Sequence, residues 1–248
     1  VIAILLQIGV NLANDYFDSI MGVDTQERLG PTRVTQSGLI SPDRIKSVMW
    51  GTLGMALVLG LYLVIRGGWP VLVIGAVCIL AVLGYSGGPY PLASHGLGDL
   101  FVLIFFGLVA VCGTYYIQTL HLSWRVFAMA VMVGLPITAI IVVNNLRDVH
   151  TDRKAGKKTL AVFLGERKSK LEYALLLCFA YVLPLTCWAM GWASAWILLT
   201  WLCLPWGWVQ IRMVWNSPIS PALNAVLAKT AAFSLLYNVL LTIGIVLD

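Results

Sequence analysis

Charged side chains make up only 11% of the 248 residues, against 60% hydrophobic ones. A soluble domain carries roughly 25% charged and about 45–50% apolar residues. That shortfall excludes a water-soluble fold, and the apolar excess excludes a disordered chain. Cysteine is sparse: the five thiols, Cys78, Cys112, Cys178, Cys187 and Cys203, lie inside apolar stretches at no metal or redox spacing. A disulfide scaffold and a thiolate metal site are excluded with them. The three histidines, His95, His121 and His150, are paired with no obvious nucleophile. The net charge of +5 would suit nucleic acid, but the basic residues fall between long apolar runs. Membrane topology accounts for that pattern, and no nucleic-acid partner is expected.

What the chain has in abundance is apolar length. A helix needs roughly 20 apolar residues to cross a hydrocarbon core of about 30 Å. Eight runs approach that length, at 1–13, 48–65, 69–83, 100–117, 126–143, 173–190, 193–209 and 225–247. The predicted fold class is therefore all-α, a multi-pass transmembrane helical bundle. Alternate threading gathers segments 19–46, 84–98, 147–170 and 210–224 on one face, together with Lys229. That face holds 14 of the 16 Lys and Arg residues and is predicted to be cytoplasmic. Ten of the eleven acids gather there too, which a topology signal does not explain.

Four of these acids fall in two polar helix ends. Asn11, Asn14, Asp15 and Asp18 follow an apolar helix with no turn signal, and spacings of three, four and seven place them on one face. A helix C-terminus disfavours carboxylates, so capping does not account for them. In the second end, Asn144, Asp148 and Asp152 share a face at i, i+4 and i+8, while His150 points elsewhere. Asn14-x-x-x-Asp18 repeats as Asn144-x-x-x-Asp148 at an offset of 130 residues, as in an internally duplicated chain. A basic loop follows each: Gly30-Pro-Thr-Arg33 and Gly156-Lys157-Lys158-Thr159. Facing carboxylates repel unless a cation binds between them, and hard oxygen donors suit Mg²⁺ carrying substrate phosphates. Beside a membrane bundle this points to a substrate with a diphosphate head and a long hydrocarbon tail. An ion-coupled transporter is the other class open, although such proteins place their carboxylates nearer the midplane.

Asn14-Asp15-Tyr16-Phe17-Asp18, Gly30-Pro-Thr-Arg33, Asn145-Leu-Arg147-Asp148 and Gly156-Lys157-Lys-Thr159-Leu160 together resemble the UbiA-type intramembrane prenyltransferases. Arg28-Leu-Gly-Pro-Thr-Arg33 and Tyr85-Ser-Gly-Gly-Pro89-Tyr90, with Gly96-Leu-Gly-Asp99, resemble the branch acting on 1,4-dihydroxy-2-naphthoate in menaquinone synthesis. The likeness implies nine helices in one domain spanning residues 1–248, with the first helix missing from the sequence. It also implies a polyprenyl diphosphate donor, an aromatic acceptor, Mg²⁺ and a site facing the cytoplasm of the cell membrane. Asp15, Asp18, Asp148 and Asp152 are the expected catalytic metal ligands. Asn14 and Asn144 would orient them, and Arg33, Arg147 and Lys157 would contact the diphosphate. The Tyr85 and Tyr90 rings are expected near cationic character. Asp24, Asp99 and Arg153 stay open between functional and bland roles, and Lys168 and Lys170 read as topology charges. Two departures stand out. Asp24 follows Asp18 by six residues where many relatives have four, and the Tyr-x-x-x-Lys element of 4-hydroxybenzoate enzymes lacks its lysine after Tyr85.

Overall fold

The computed structural model describes residues 1–22, 30 and 33–248; Asp24 lies outside the described residues. The described chain is helical: α1 Ile2–Ile20, α2 Pro42–Gly67, α3 Trp69–Ser86, α4 Gly98–Thr119, α5 Trp124–Arg147, α6 Val149–Lys154, α7 Leu160–Ala189, α8 Ala195–Asn216 and α9 Leu223–Val246. A short 3-10 turn, Leu92–His95, sits between α3 and α4, and the first part of α8, Ala195–Cys203, is also wound as a 3-10 helix. Seven of these helices, all but α1 and α6, are long and apolar enough to cross a membrane. The first apolar run does become helix α1, but its second half carries the Asn and Asp side chains and is too polar to count with them.

Large apolar side chains such as Val58, Ile65, Leu80, Leu202 and Leu235 are exposed around the outside, where a soluble protein would present charge. The largest buried cluster joins α5, α7, α8 and α9 through Met132, Leu146, Tyr173, Leu177, Phe233 and Tyr237. A smaller one, Ala13, Met49, Leu53 and Val82, ties α1 to α2 and α3. The chain is a multi-pass membrane protein built as a helical bundle.

Between these clusters α4 meets α5 backbone to backbone. A Cβ on Gly107 would stand 2.8 Å from the Ala130 carbonyl oxygen and 3.0 Å from the Gly134 Cα. Small residues on both sides allow the close approach, as at many membrane helix contacts. Gly107 lies in a π-wound stretch, Leu103–Val109.

The polar end at 144–152 continues as helix, as its spacing predicts, and the basic stretch from Gly156 is a turn. Backbone hydrogen bonds run from Asp148 N to the Asn144 carbonyl and from Asp152 N to the Asp148 carbonyl, at 3.2 and 2.8 Å. The i to i+4 ladder thus passes from α5 into α6, and the chain turns only at Gly156, whose φ is 75°. Helix α7 begins at Leu160 and bends at Gly165.

Lys170 also departs from its expected role as a topology charge. It is buried, and its Nζ donates to the Trp215 and Ser217 carbonyl oxygens at 3.1 and 2.9 Å. Glu166 completes the arrangement at 2.7 Å. A cation on the last carbonyls of α8 satisfies groups the helix leaves unpaired. Lys170→Ala is expected to cost about 1.5–3 kcal/mol, the scale of hydrogen bonds made by a charged group. Lys168→Ala, on an exposed residue, is expected to be neutral. Thermal unfolding of the two variants in detergent checks the contrast.

Candidate active site

Both polar helix ends open onto one cavity. Its wall contains Asn14 and Asp18 from α1, Tyr85 and Ser86 from the end of α3, and Ile141, Asn144 and Asn145 from α5. Asp148, Thr151, Asp152, Ala155, Lys157 and Thr159 come from α6 and the turn beyond it, and Arg33 and Ala93 complete the rim. The end of α3 reaches Asn14 because Gly87 lies flat on Phe17; a Cβ there would fall 2.5 Å from the ring. Ser86 Oγ then donates to Asn14 Oδ1 at 2.5 Å.

Asp18 is the meeting point of the two acidic segments. Its carboxylate, 5% exposed, accepts from Lys157 Nζ at 3.2 Å and from Arg33 Nη2 at 3.4 Å. A lysine from beyond the second acidic segment thereby neutralises the first, although 139 residues separate them. Asp152 lies in the same wall. Burial pushes its carboxyl up from 3.8 to about 6, Asp148 and Asp18 push the same way, and Lys157 and Arg147 oppose them. Crowded, partly desolvated carboxylates beside basic side chains are poised to exchange partners for a cation and an anion.

The remaining expected residues divide. Asn144 lines the cavity with Asp148, and Tyr85 does so from α3. Asp15 is buried but stands outside the cavity wall, its carboxylate accepting from Thr35 Oγ1. Tyr90 is 75% exposed and tilts against His95. Arg147 is 2% exposed and outside the wall, turned toward Asp148, Asn144 and Asn224. Asn11 and His150 are exposed, as are Arg153, Lys154 and Lys158. Asp99 is buried behind the wall and accepts from Asn145 Nδ2 at 3.4 Å. Ser86, Asn145 and Thr159 stand inside motifs already quoted from the sequence but were given no role there, and Thr151 and Asn224 were not singled out.

Among the described residues no three acidic, histidine or cysteine side chains converge into a ready cation site. The oxygen donors of Asp18, Asp148, Asp152, Asn14 and Asn144 nevertheless share the cavity, and they suit a hard divalent cation. Such a cation often takes only one or two carboxylates and completes its shell with water and substrate phosphate. The donor set fits that mode of binding.

Residues 1–233 match the model of the UbiA prenyltransferase family. Three similar proteins are each named 1,4-dihydroxy-2-naphthoate octaprenyltransferase. That of Mycobacterium tuberculosis is 41% identical over 182 residues, covering 73% of this chain and 62% of its own length. That of Haemophilus influenzae is 37% identical and covers 98% of this chain and 81% of its own length. That of Escherichia coli is 36% identical with the same coverages, 98% and 81%. The chain thus spans less than two thirds of the Mycobacterium relative and about four fifths of the other two. A solved structure described as digeranylgeranylglyceryl phosphate synthase in membranes superposes with a TM-score of 0.61 at 18% identity, covering 100% of this chain and 84% of that one. That likeness establishes the fold. With both acidic helix ends on one cavity and the family model matched over nearly the whole length, the chain belongs to the UbiA prenyltransferase family.

Proposed function

We propose that the chain transfers a polyprenyl group from a prenyl diphosphate to 1,4-dihydroxy-2-naphthoate, with Mg²⁺ and with loss of carbon dioxide, in menaquinone synthesis. The observation that carries the reading is the gathering of Asp18, Asp148 and Asp152 with Arg33 and Lys157 around one cavity in an apolar bundle. Relatives named for this activity at 36–41% identity add the acceptor.

Asp18, Asp148 and Asp152 would hold the metal, aided by Asn14 and Asn144; Asp15 would join only by releasing Thr35. Bound there, Mg²⁺ would neutralise charge growing on the departing diphosphate. Lys157 and Arg33 exchange Asp18 for phosphate oxygens, forming charge-assisted hydrogen bonds that strengthen as the leaving group gains charge. Ile141, Ala93 and the apolar helices behind them exclude water from the allylic cation, and the Tyr85 ring offers it a negative face. The acceptor carbon bearing the carboxylate attacks the prenyl carbon. As that bond forms, the bond to the carboxylate breaks, its electron pair returns to the ring, and carbon dioxide departs.

The cavity faces the cytoplasm in this reading, because 14 of the 16 Lys and Arg residues fall on its side of the threaded chain. Ion-coupled transport would place its carboxylates near the midplane. Asp18, Asp148 and Asp152 stand at helix ends beside basic side chains.

Reconstituted into liposomes, the protein is expected to release diphosphate and carbon dioxide from a prenyl diphosphate and 1,4-dihydroxy-2-naphthoate, and EDTA is expected to stop both. Prenylation of 4-hydroxybenzoate in preference would overturn the acceptor. Absence of transfer to any aromatic acceptor would overturn the reaction.

A further inference from the structure

Arg147 was expected to reach the diphosphate, yet its guanidinium is 2% exposed and contributes nothing to the cavity wall. Its hydrogen bonds account for the position. Nε donates to Asp148 Oδ1 at 2.8 Å, and Nη2 donates to Asp148 Oδ2 at 2.5 Å, so the fork grips one carboxylate through both oxygens. Nη2 also donates to Asn144 Oδ1 at 3.0 Å, and Nη1 donates to Asn224 Oδ1 at 2.7 Å. A guanidinium has five N–H groups in a fixed plane, and these four bonds leave little to offer a substrate.

Asn224 comes from a different part of the bundle. It is the second residue of α9, and its neighbour Leu223 is fully buried. Its backbone N–H donates to the Pro221 carbonyl at 3.0 Å, which fixes the start of that helix. The acceptor that holds Nη1 is therefore set by the largest core cluster, which packs α9 on α5.

We infer that Arg147 and Asn224 form a clamp that orients the Asp148 carboxylate and the Asn144 amide toward the cavity without touching the substrate. The inference rests on the proposed function and adds two positioning residues to it. A bidentate grip fixes the plane of a carboxylate as well as neutralising it. Asp148 needs that grip because it lies at the break between α5 and α6, with φ −93° and ψ 4°, one turn from Asp152. Held by Arg147, the two carboxylates can face one cavity before any cation arrives. Asn224 in turn keeps the guanidinium from swinging out toward a phosphate. Supporting groups of this kind typically change metal affinity by about 10- to 100-fold when removed.

The test uses inorganic pyrophosphate as its probe and follows thermal unfolding of the full chain across an Mg²⁺ titration, beside steady-state kinetics. For Asn224→Ala, the Mg²⁺ concentration giving half-maximal stabilisation by pyrophosphate is expected to rise about tenfold. Turnover at fixed, subsaturating Mg²⁺ falls in parallel, with KM for the prenyl diphosphate little changed. Asn224→Asp keeps an acceptor for Nη1 and is expected to restore both readouts. Arg147→Lys keeps the charge but loses the fork, so it is expected to shift the Mg²⁺ requirement as Asn224→Ala does. An unchanged Mg²⁺ requirement in Asn224→Ala, with only a lower unfolding temperature, would reduce Asn224 to a structural residue and overturn the clamp. Should Asn224→Ala fail to fold, the lysine variant decides: wild-type Mg²⁺ dependence there would overturn the clamp equally. The pyrophosphate arm needs no prenyl transfer. Wild-type protein that binds Mg²⁺ and pyrophosphate but prenylates nothing would refute the function and leave the clamp to be judged on binding.

Discussion

Asp18→Ala is expected to lower prenyl transfer by at least about 10³-fold, or roughly 4 kcal/mol of barrier, while the protein stays folded in the membrane. The carboxylate accepts from both Lys157 and Arg33, so its loss removes a proposed metal donor and takes one partner from each of two cations. Those cations are each about 20% exposed and retain some solvation, which limits the cost to folding. Asp148 calls for a different substitution. Alanine there would strip the carboxylate from Arg147, which is 2% exposed, and an unpaired buried charge costs about 3–5 kcal/mol. Asp148→Asn preserves one oxygen for the fork while removing the charge a cation needs, and it is expected to abolish turnover with less loss of fold. Asp152→Asn should act in the opposite sense on stability. Its carboxyl is held up near 6 chiefly by burial, with Asp148 and Asp18 adding to it against Lys157 and Arg147, so neutralising it removes a desolvation penalty in metal-free protein. The expected outcome is a higher unfolding temperature in EDTA with transfer lost in Mg²⁺. Turnover above about a tenth of wild type in Asp18→Ala or Asp148→Asn, within about 1.4 kcal/mol of the native barrier, would argue against these carboxylates as metal ligands.

The carboxylates that reach the cavity were legible because helical periodicity is a strong local signal. Asn14 and Asp18 are about 40° apart around a helix of 3.6 residues per turn, as are Asn144 and Asp148. Both pairs line the same wall. Asp15 lies about 60° from Asp18 on the same wheel, a difference too small to separate them in sequence. In the structure that rotation turns Asp15 to Thr35. The burial of Arg147 was not legible for another reason. A basic residue beside an aspartate reads alike whether it faces solvent or core, and its deciding partner, Asn224, is 77 residues away. Lys170 shows the same limit, since its carbonyl acceptors belong to residues 45 and 47 positions later. The apolar runs located the membrane helices well, but their ends were set by hydrogen-bond ladders that continue through polar sequence. Past the break at Asp148 the i to i+4 bonds still carry the chain on as helix, and the turn comes at Gly156, whose φ is 75°.

Lys157→Ala is expected to cut turnover by about 10²-fold or more, the scale on which removal of one preorganised electrostatic donor registers. Its Nζ stands 3.2 Å from Asp18 in the cavity wall, close enough to transfer from carboxylate to phosphate once a cation takes over Asp18. Arg33, 3.4 Å from the other Asp18 oxygen, is expected to lose a similar factor on conversion to alanine. A contact that strengthens with charge on the leaving group supports turnover more than ground-state binding, so kcat is expected to fall further than KM rises. Lys158 provides the internal control. It is the next residue, carries the same charge and is exposed, while its backbone N–H donates to the Ser94 carbonyl at 3.0 Å. Replacing its side chain leaves that backbone bond intact, so Lys158→Ala is expected to retain most of the activity. Steady-state kinetics of the three variants with a prenyl diphosphate at saturating acceptor make the comparison. Equal, small losses at Lys157 and Lys158 would mean that the turn after α6 contributes only general positive charge. A large loss confined to Lys157 and Arg33 would tie the leaving diphosphate to the two side chains that already meet at Asp18.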